Sequence, residues 1–135
     1  MNQKHVEQIF DDYRMIAIII YAEYQSEGID FFTPPNLSQQ IASMNRPRGY
    51  KIPAHIHKPV MRQVKYTQET LFIKKGRVEI NFYDENKEYF ESRVLKTGDV
   101  ILLVSGGHDF LMMEDTEMIE VKQGPYAGED DKEIF

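Results

Sequence analysis

From Pro53 to Lys122 the chain alternates short apolar or alternating runs with turn signals, and that rhythm limits the fold more than any other feature. Residues 78–82 read Val-Glu-Ile-Asn-Phe, a strict apolar/polar alternation. On a strand it sends Val78, Ile80 and Phe82 to one face. Residues 100–104 are Val-Ile-Leu-Leu-Val, a continuous apolar run that reads as a strand buried on both faces. Residues 54–57, 69–74, 89–95, 108–113 and 118–122 complete the strand set. The punctuation is Lys75-Gly76, read as a tight hairpin turn, then the 84–87 loop, Thr97-Gly98-Asp99, Ser105-Gly106-Gly107 and Glu114-Asp115-Thr116. Short strands at this spacing belong to sandwiches and barrels, so the expected class is all-β, with about eight to ten strands in a double-sheet jelly roll.

Upstream the signals thin out. Residues 14–24, rich in Ile and Tyr, read as a buried strand, with Tyr21 and Tyr24 in or near the core. Residues 1–13 are polar and fit a short helix or an arm, with His5 on the surface. Ser26-Glu27-Gly28 is a turn, 29–32 is extended and stops at Pro34-Pro35, and 36–44 reads as strand in preference to helix. Met112, Met113 and Met118 read as packing residues, in the core or at a dimer seam. The tail, 123–135, is acidic, with Tyr126 and Phe135 as docking anchors. A chain of 135 residues is expected to form one domain, 1–135.

Composition removes several chemistries. With no cysteine there is no disulfide, thiol nucleophile or cluster ligand, which fits a cytoplasmic protein. The apolar stretch 15–21 is too short to span a bilayer, which takes about 20 residues, so no membrane partner is expected. The net charge of −6 argues against nucleic acid. That charge is unevenly spread: 31–68 holds no Asp or Glu but carries Arg46, Arg48, Lys51, Lys58, Arg62 and Lys65. A pocket there would favour an anionic ligand, unless these side chains form an ordinary solvated face.

Three of the four histidines lie near that window or on the last apolar hairpin. His55 and His57, two apart on a strand, point to one face roughly 6.6–7 Å apart. Glu69 opens the next strand, and His108 follows a Gly-Gly bend that can bring its imidazole inward. Three imidazoles and a carboxylate suit one divalent transition metal, Fe, Mn, Ni or Zn.

These stretches resemble the two motifs of the cupin superfamily. The first runs from Gly49 through His55-Ile56-His57 and Glu69 to Gly76, and the second from Gly98-Asp99 to His108. The likeness covers about residues 45–122. Eleven residues separate His57 from Glu69, more than is usual in the family, and Val104 stands where proline is common. The resemblance implies a double-stranded β-helix, the cupin jelly-roll barrel, with short terminal extensions. It also implies a homodimer and one metal held by His55, His57, Glu69 and His108. The chain is similar, more distantly, to small single-domain cupins found with sugar-nucleotide and surface-polysaccharide biosynthesis enzymes.

The expected function is that of a metal-binding enzyme, isomerase- or epimerase-like, acting on a small anionic compound of sugar or nucleotide-sugar kind. Lys58 and Arg62 would hold the anion, and Lys65 or Tyr66 would move a proton. A plainer role for 58–68 is to cap the barrel or meet a second copy. A non-haem iron dioxygenase and a non-catalytic small-molecule binder are the alternatives.

Overall fold

The structure, a computed structural model, describes residues 5–135. It is all-β: ten strands and one short 3-10 turn among the described residues, in three antiparallel sheets. The chain divides into two compact units, one made of the residues up to Tyr24 with Thr67–Phe135, the other of Gln25–Tyr66.

The first unit is a β-sandwich. Its larger sheet has five strands in the order β1 (Val6–Phe10), β2 (Met15–Ile20), β8 (Val100–Leu103), β5 (Glu69–Lys75), β10 (Glu117–Lys122). The smaller has three, β7 (Tyr89–Lys96), β6 (Arg77–Tyr83) and β9 (Gly107–Met112). One core joins them. Ile9, Ala17, Ile19, Leu71, Ile73 and Ile101 from the larger sheet meet Val78, Ile80, Phe82 and Leu95 from the smaller. Each of these side chains except that of Ala17 contributes roughly 1.5–3 kcal/mol by leaving water, against about 0–1 for an exposed ion pair, so this layer holds the fold. The alternation in β6 behaves as expected, with Val78, Ile80 and Phe82 fully buried. β8 is buried on both faces: Ile101 lies in the core cluster, while Leu102 and its register partner Ile18 are fully buried outside it.

Three expectations change here. The described part of the helix or arm expected over 1–13 is mostly β1, paired with β2; residues 1–4 lie outside the described residues, and His5 is exposed. Its sequence is polar because one sheet edge is partly wet: Ile9 alone is buried in it. Of the strand expected over 36–44, only β4 (Ala42–Asn45) forms.

Gly76, the third case, is not a hairpin turn. β5 pairs with β8 and β10, β6 with β7 and β9, so at Gly76 the chain leaves one sheet for the other. The 113–116 segment makes the same passage beside it, since Glu117 pairs with Lys75 and Met112 with Val78. The two crossings are stitched together: Arg77 N donates to Thr116 Oγ1 at 3.2 Å, and Met113 N to Arg77 O at 2.9 Å. Gly76 sits at φ +103°, and a Cβ there would lie 2.4 Å from Asp115 O and 2.8 Å from Thr116 Cα, so only glycine fits. At the far side of the sandwich, Arg93 of β7 forks onto Glu7 of β1 at 2.7–3.1 Å and reaches Glu91 at 2.7 Å. Tyr21 donates to the same Glu7 at 2.7 Å.

The second unit contains the hairpin of β3 (Gly28–Phe31) and β4, whose turn is tied by Thr33 and Gln40. Its remaining stretch, 46–66, has no strand and is exposed throughout. Among the described residues no helix is long and apolar enough to cross a membrane.

Candidate functional site

The first unit holds a cavity of about 730 Å³, with Glu69, Leu103, His108, Phe110, Glu120 and Lys122 in its wall. Strand alternation puts them there. Glu69 and Leu71 share a face of β5, and Leu71 is buried in the core, so Glu69 is carried to the inner side of the sheet. On β10 the partners opposite these two residues are Lys122 and Glu120. On β9, His108 stands opposite core residue Phe82, and its ring lies 5.4 Å from that of Phe110. The bend before it needs two small residues: a Cβ on Gly106 would come within 2.7 Å of Tyr83 O, and one on Gly107 within 2.8 Å of the Phe135 ring.

Glu69 and His108 meet across the two sheets, Nε2 to Oε1 at 2.9 Å, with side chains 15% and 26% exposed. That bond holds the Glu69 carboxyl below the ordinary carboxylate range, against burial, which pushes the other way. Glu120 hydrogen-bonds Glu69 and is itself raised, by that bond first and by burial second. Of the two carboxyls, Glu69 is therefore the one held charged and Glu120 the one that takes up a proton more readily. Glu69 as acceptor makes His108 Nε2 the donor. The neutral ring then has its unprotonated nitrogen at Nδ1, the atom able to take a proton from a bound molecule.

The four expected metal donors thus fall into two pairs. Glu69 and His108 are together in the first unit. His55 and His57 belong to the second, with ring centroids 5.3 Å apart at 76° and both side chains exposed. The strand expected over 54–57 is absent, so the shared-face argument for these imidazoles does not apply. Pro53 and Pro59 each remove a backbone donor, which makes the segment a poor strand. His55 instead meets Pro53 O through Nδ1 at 2.8 Å. Among the described residues no group of three or more His, Asp or Glu side chains is placed to hold a metal ion, so the residues as arranged do not complete a metal centre. Lys58, Arg62, Lys65 and Tyr66 all lie in the strandless 46–66 stretch and are exposed; Lys65 Nζ lies 5.3 Å from the centroid of the Tyr66 ring.

Two features of the cavity were not read from the sequence. Glu120 and Lys122 share the inner face of β10 with Met118, and that i, i+2 spacing was the available signal. The tail also forms part of the wall. Asp131 accepts from Lys122 Nζ at 3.1 Å and from Thr67 Oγ1 at 3.2 Å; Glu133 pairs with Lys87 at 3.1 Å; Phe135 sits edge-on to Tyr83 at 5.3 Å. Of the two aromatic anchors expected in the tail, Phe135 meets the Tyr83 ring while staying 60% exposed, and Tyr126 is 85% exposed. Of the three methionines expected to pack, Met118 rests on the core while Met112 and Met113 are 45% and 43% exposed. No protein-family model, no curated protein and no solved structure matches the chain.

Proposed function

We propose that this chain is a cupin-type jelly roll that binds a small sugar-like compound in the first unit's cavity and moves a proton on it, as an isomerase or epimerase does. The observation that carries this is the His108–Glu69 hydrogen bond in the cavity wall. A carboxylate that fixes an imidazole's tautomer makes its other nitrogen a general base. His108 Nδ1 takes a proton from a hydroxyl-bearing carbon beside a carbonyl, the electron pair moves onto the carbonyl oxygen, the hydroxyl proton passes to that oxygen, and the imidazolium returns the first proton to the former carbonyl carbon as the second oxygen becomes the new carbonyl. Glu69 steadies the imidazolium between the two steps. Glu120 and Lys122 offer groups that hydroxyls can bond to, and the Phe110 ring an apolar face. What supports the jelly roll is the strand order, in which β5–β6 and β9–β10 pass as pairs from one sheet to the other. Exposed Ile119 and Val121 on edge strand β10 support the homodimer that goes with it; sedimentation velocity tests that part.

The test is proton exchange. Aldose and ketose phosphates are incubated with the protein in D₂O and followed by proton NMR. Wash-in of deuterium beside the carbonyl is expected with the wild type, absent with His108→Asn and slowed with Glu69→Gln. No wash-in with any compound the protein binds refutes the catalytic reading and leaves a binding module. A metal centre is the second reading, and the juxtaposition of two of its four expected donors, Glu69 and His108, favours it. Elemental analysis of protein purified without chelator decides it: about one Fe, Mn, Ni or Zn per chain, lost in His55→Ala/His57→Ala, is the result required.

A further inference from the structure

The tail segment 131–135 is an acidic strap laid over the cavity, and it is matched to the cavity's cations. Lys122 and Lys87 each lie in the wall, and each is paired with a strap carboxylate, Asp131 and Glu133 respectively. Thr67 adds a hydroxyl to the Asp131 contact. Phe135 anchors the strap's end on Tyr83, in the space that the missing side chain of Gly107 leaves.

We propose that Lys122 and Thr67 form an anion subsite of the cavity, occupied here by the Asp131 carboxylate, and that an anionic group of the ligand, phosphate or carboxylate, takes its place and lifts the strap. Three observations meet in this. The Asp131 carboxylate already has the partners an anion would use, an ammonium and a hydroxyl. Lifting the strap releases Lys122 and Lys87 from their ion pairs together, so an anionic group that displaces it can take them over. The strap is also weakly rooted, since residues 132–135 are exposed and belong to no strand or helix. The subsite deepens the proposed function by giving the sugar-like compound a charged group, and rests on the cavity being a ligand site.

The strap competes with the ligand, so apparent affinity falls by the fraction of molecules in which it is seated. The probes are inorganic phosphate and acetate, titrated into the full chain and followed by amide NMR shifts of Thr67 and Lys122. Asp131→Asn keeps the shape and removes the charge. It is expected to tighten binding of the better probe by roughly three- to ten-fold. Lys122→Gln is expected to abolish binding. Trypsin reports the strap directly: the bond after Lys132 becomes cleavable faster as the anion is added. Phe135→Ala loosens the far end without touching the subsite, so it should also tighten binding even if Asp131→Asn folds poorly. Unchanged affinity in both Asp131→Asn and Phe135→Ala, or binding that survives Lys122→Gln, overturns the proposal. Phosphate and acetate binding is read without turnover, so loss of the anion subsite and loss of proton exchange are scored separately.

Discussion

Gly76→Ala tests the crossing that brings Glu69 and His108 face to face. Two costs add at this position. A non-glycine residue at φ +103° carries backbone strain of about 1–2 kcal/mol or more. The new methyl would also lie 2.4 Å from Asp115 O, 2.6 Å from Thr116 Oγ1 and 2.8 Å from Thr116 Cα. Two of those three atoms are backbone and cannot rotate away, so the neighbouring crossing must shift, at about 1–3 kcal/mol. The sum, about 2–5 kcal/mol, is a large part of a stability on the order of 5–15 kcal/mol. With a urea slope of about 2 kcal/mol per molar, the unfolding midpoint should fall by about 1–2.5 M. The control is Gly128→Ala, in the same unit at φ +64° with nothing within 4 Å of the added Cβ, which carries the backbone cost without the collision. If Gly76→Ala and Gly128→Ala shift the midpoint equally, the two crossings are not packed as described and the reasoning fails.

Asp99, 1% exposed, accepts from the backbone of Ala22 and of Lys96, each at 2.8 Å, so Asp99→Ala should cost about 2–4 kcal/mol in thermal or urea unfolding; a loss under 1 kcal/mol would mean water replaces it freely. Tyr21 is raised by burial and then by its bond to Glu7, so its contribution is complete below the unfolded value near 10 and is lost as pH rises above it. Tyr21→Phe should therefore flatten the alkaline fall in stability, and an unchanged fall would show that the phenol is not the group responsible. For the carboxyl pair the signs oppose. Glu69, lowered, contributes above about pH 4.5 and loses this as pH falls further, whereas Glu120, raised, contributes at low pH and loses this as pH rises through its folded value. Glu120→Gln should accordingly gain stability relative to wild type as pH rises above about 4.5, and the opposite trend in urea midpoints would refute the raised carboxyl.

What was legible in the sequence was whatever depends on near neighbours. Alternation over Val78 to Phe82 and the unbroken run at Val100 to Val104 fix burial directly, and both strands lie where the pattern put them. The meeting of Glu69 with His108 was also foreseeable, because a strand start and a Gly-Gly bend each direct one side chain inward. Gly76 was misread because a glycine turn looks alike whether the strands it joins pair or part. The choice is made by β9–β10, some 35 residues away. The His55-Ile56-His57 spacing had the same defect: two residues apart means one face only if a neighbouring strand supplies a ladder, and residues 54–57 form none. The docking of Phe135 depends on the absent side chain of Gly107, a complementarity that no local window displays.

The position of β2 has a consequence for how the chain is made. Met15–Ile20, one of its most apolar stretches, sits between β1 and β8, and its register partners on β8 are residues 100–103. A ribosome adds about 5–20 residues per second, so this strand waits roughly 4–16 s for its second neighbour to be synthesised. During that time Ile16 to Ile19 can be covered only from the β1 side, and the sheet cannot close around them. Asp11 ties the β1–β2 turn, accepting from Tyr13 N at 3.0 Å and Arg14 N at 2.7 Å, so the hairpin can hold itself together over that interval. Pairings this distant also set a slow folding class, on the order of milliseconds to seconds even for the complete chain. Asp11→Ala should therefore lower both the yield of soluble protein and the stability of the finished fold.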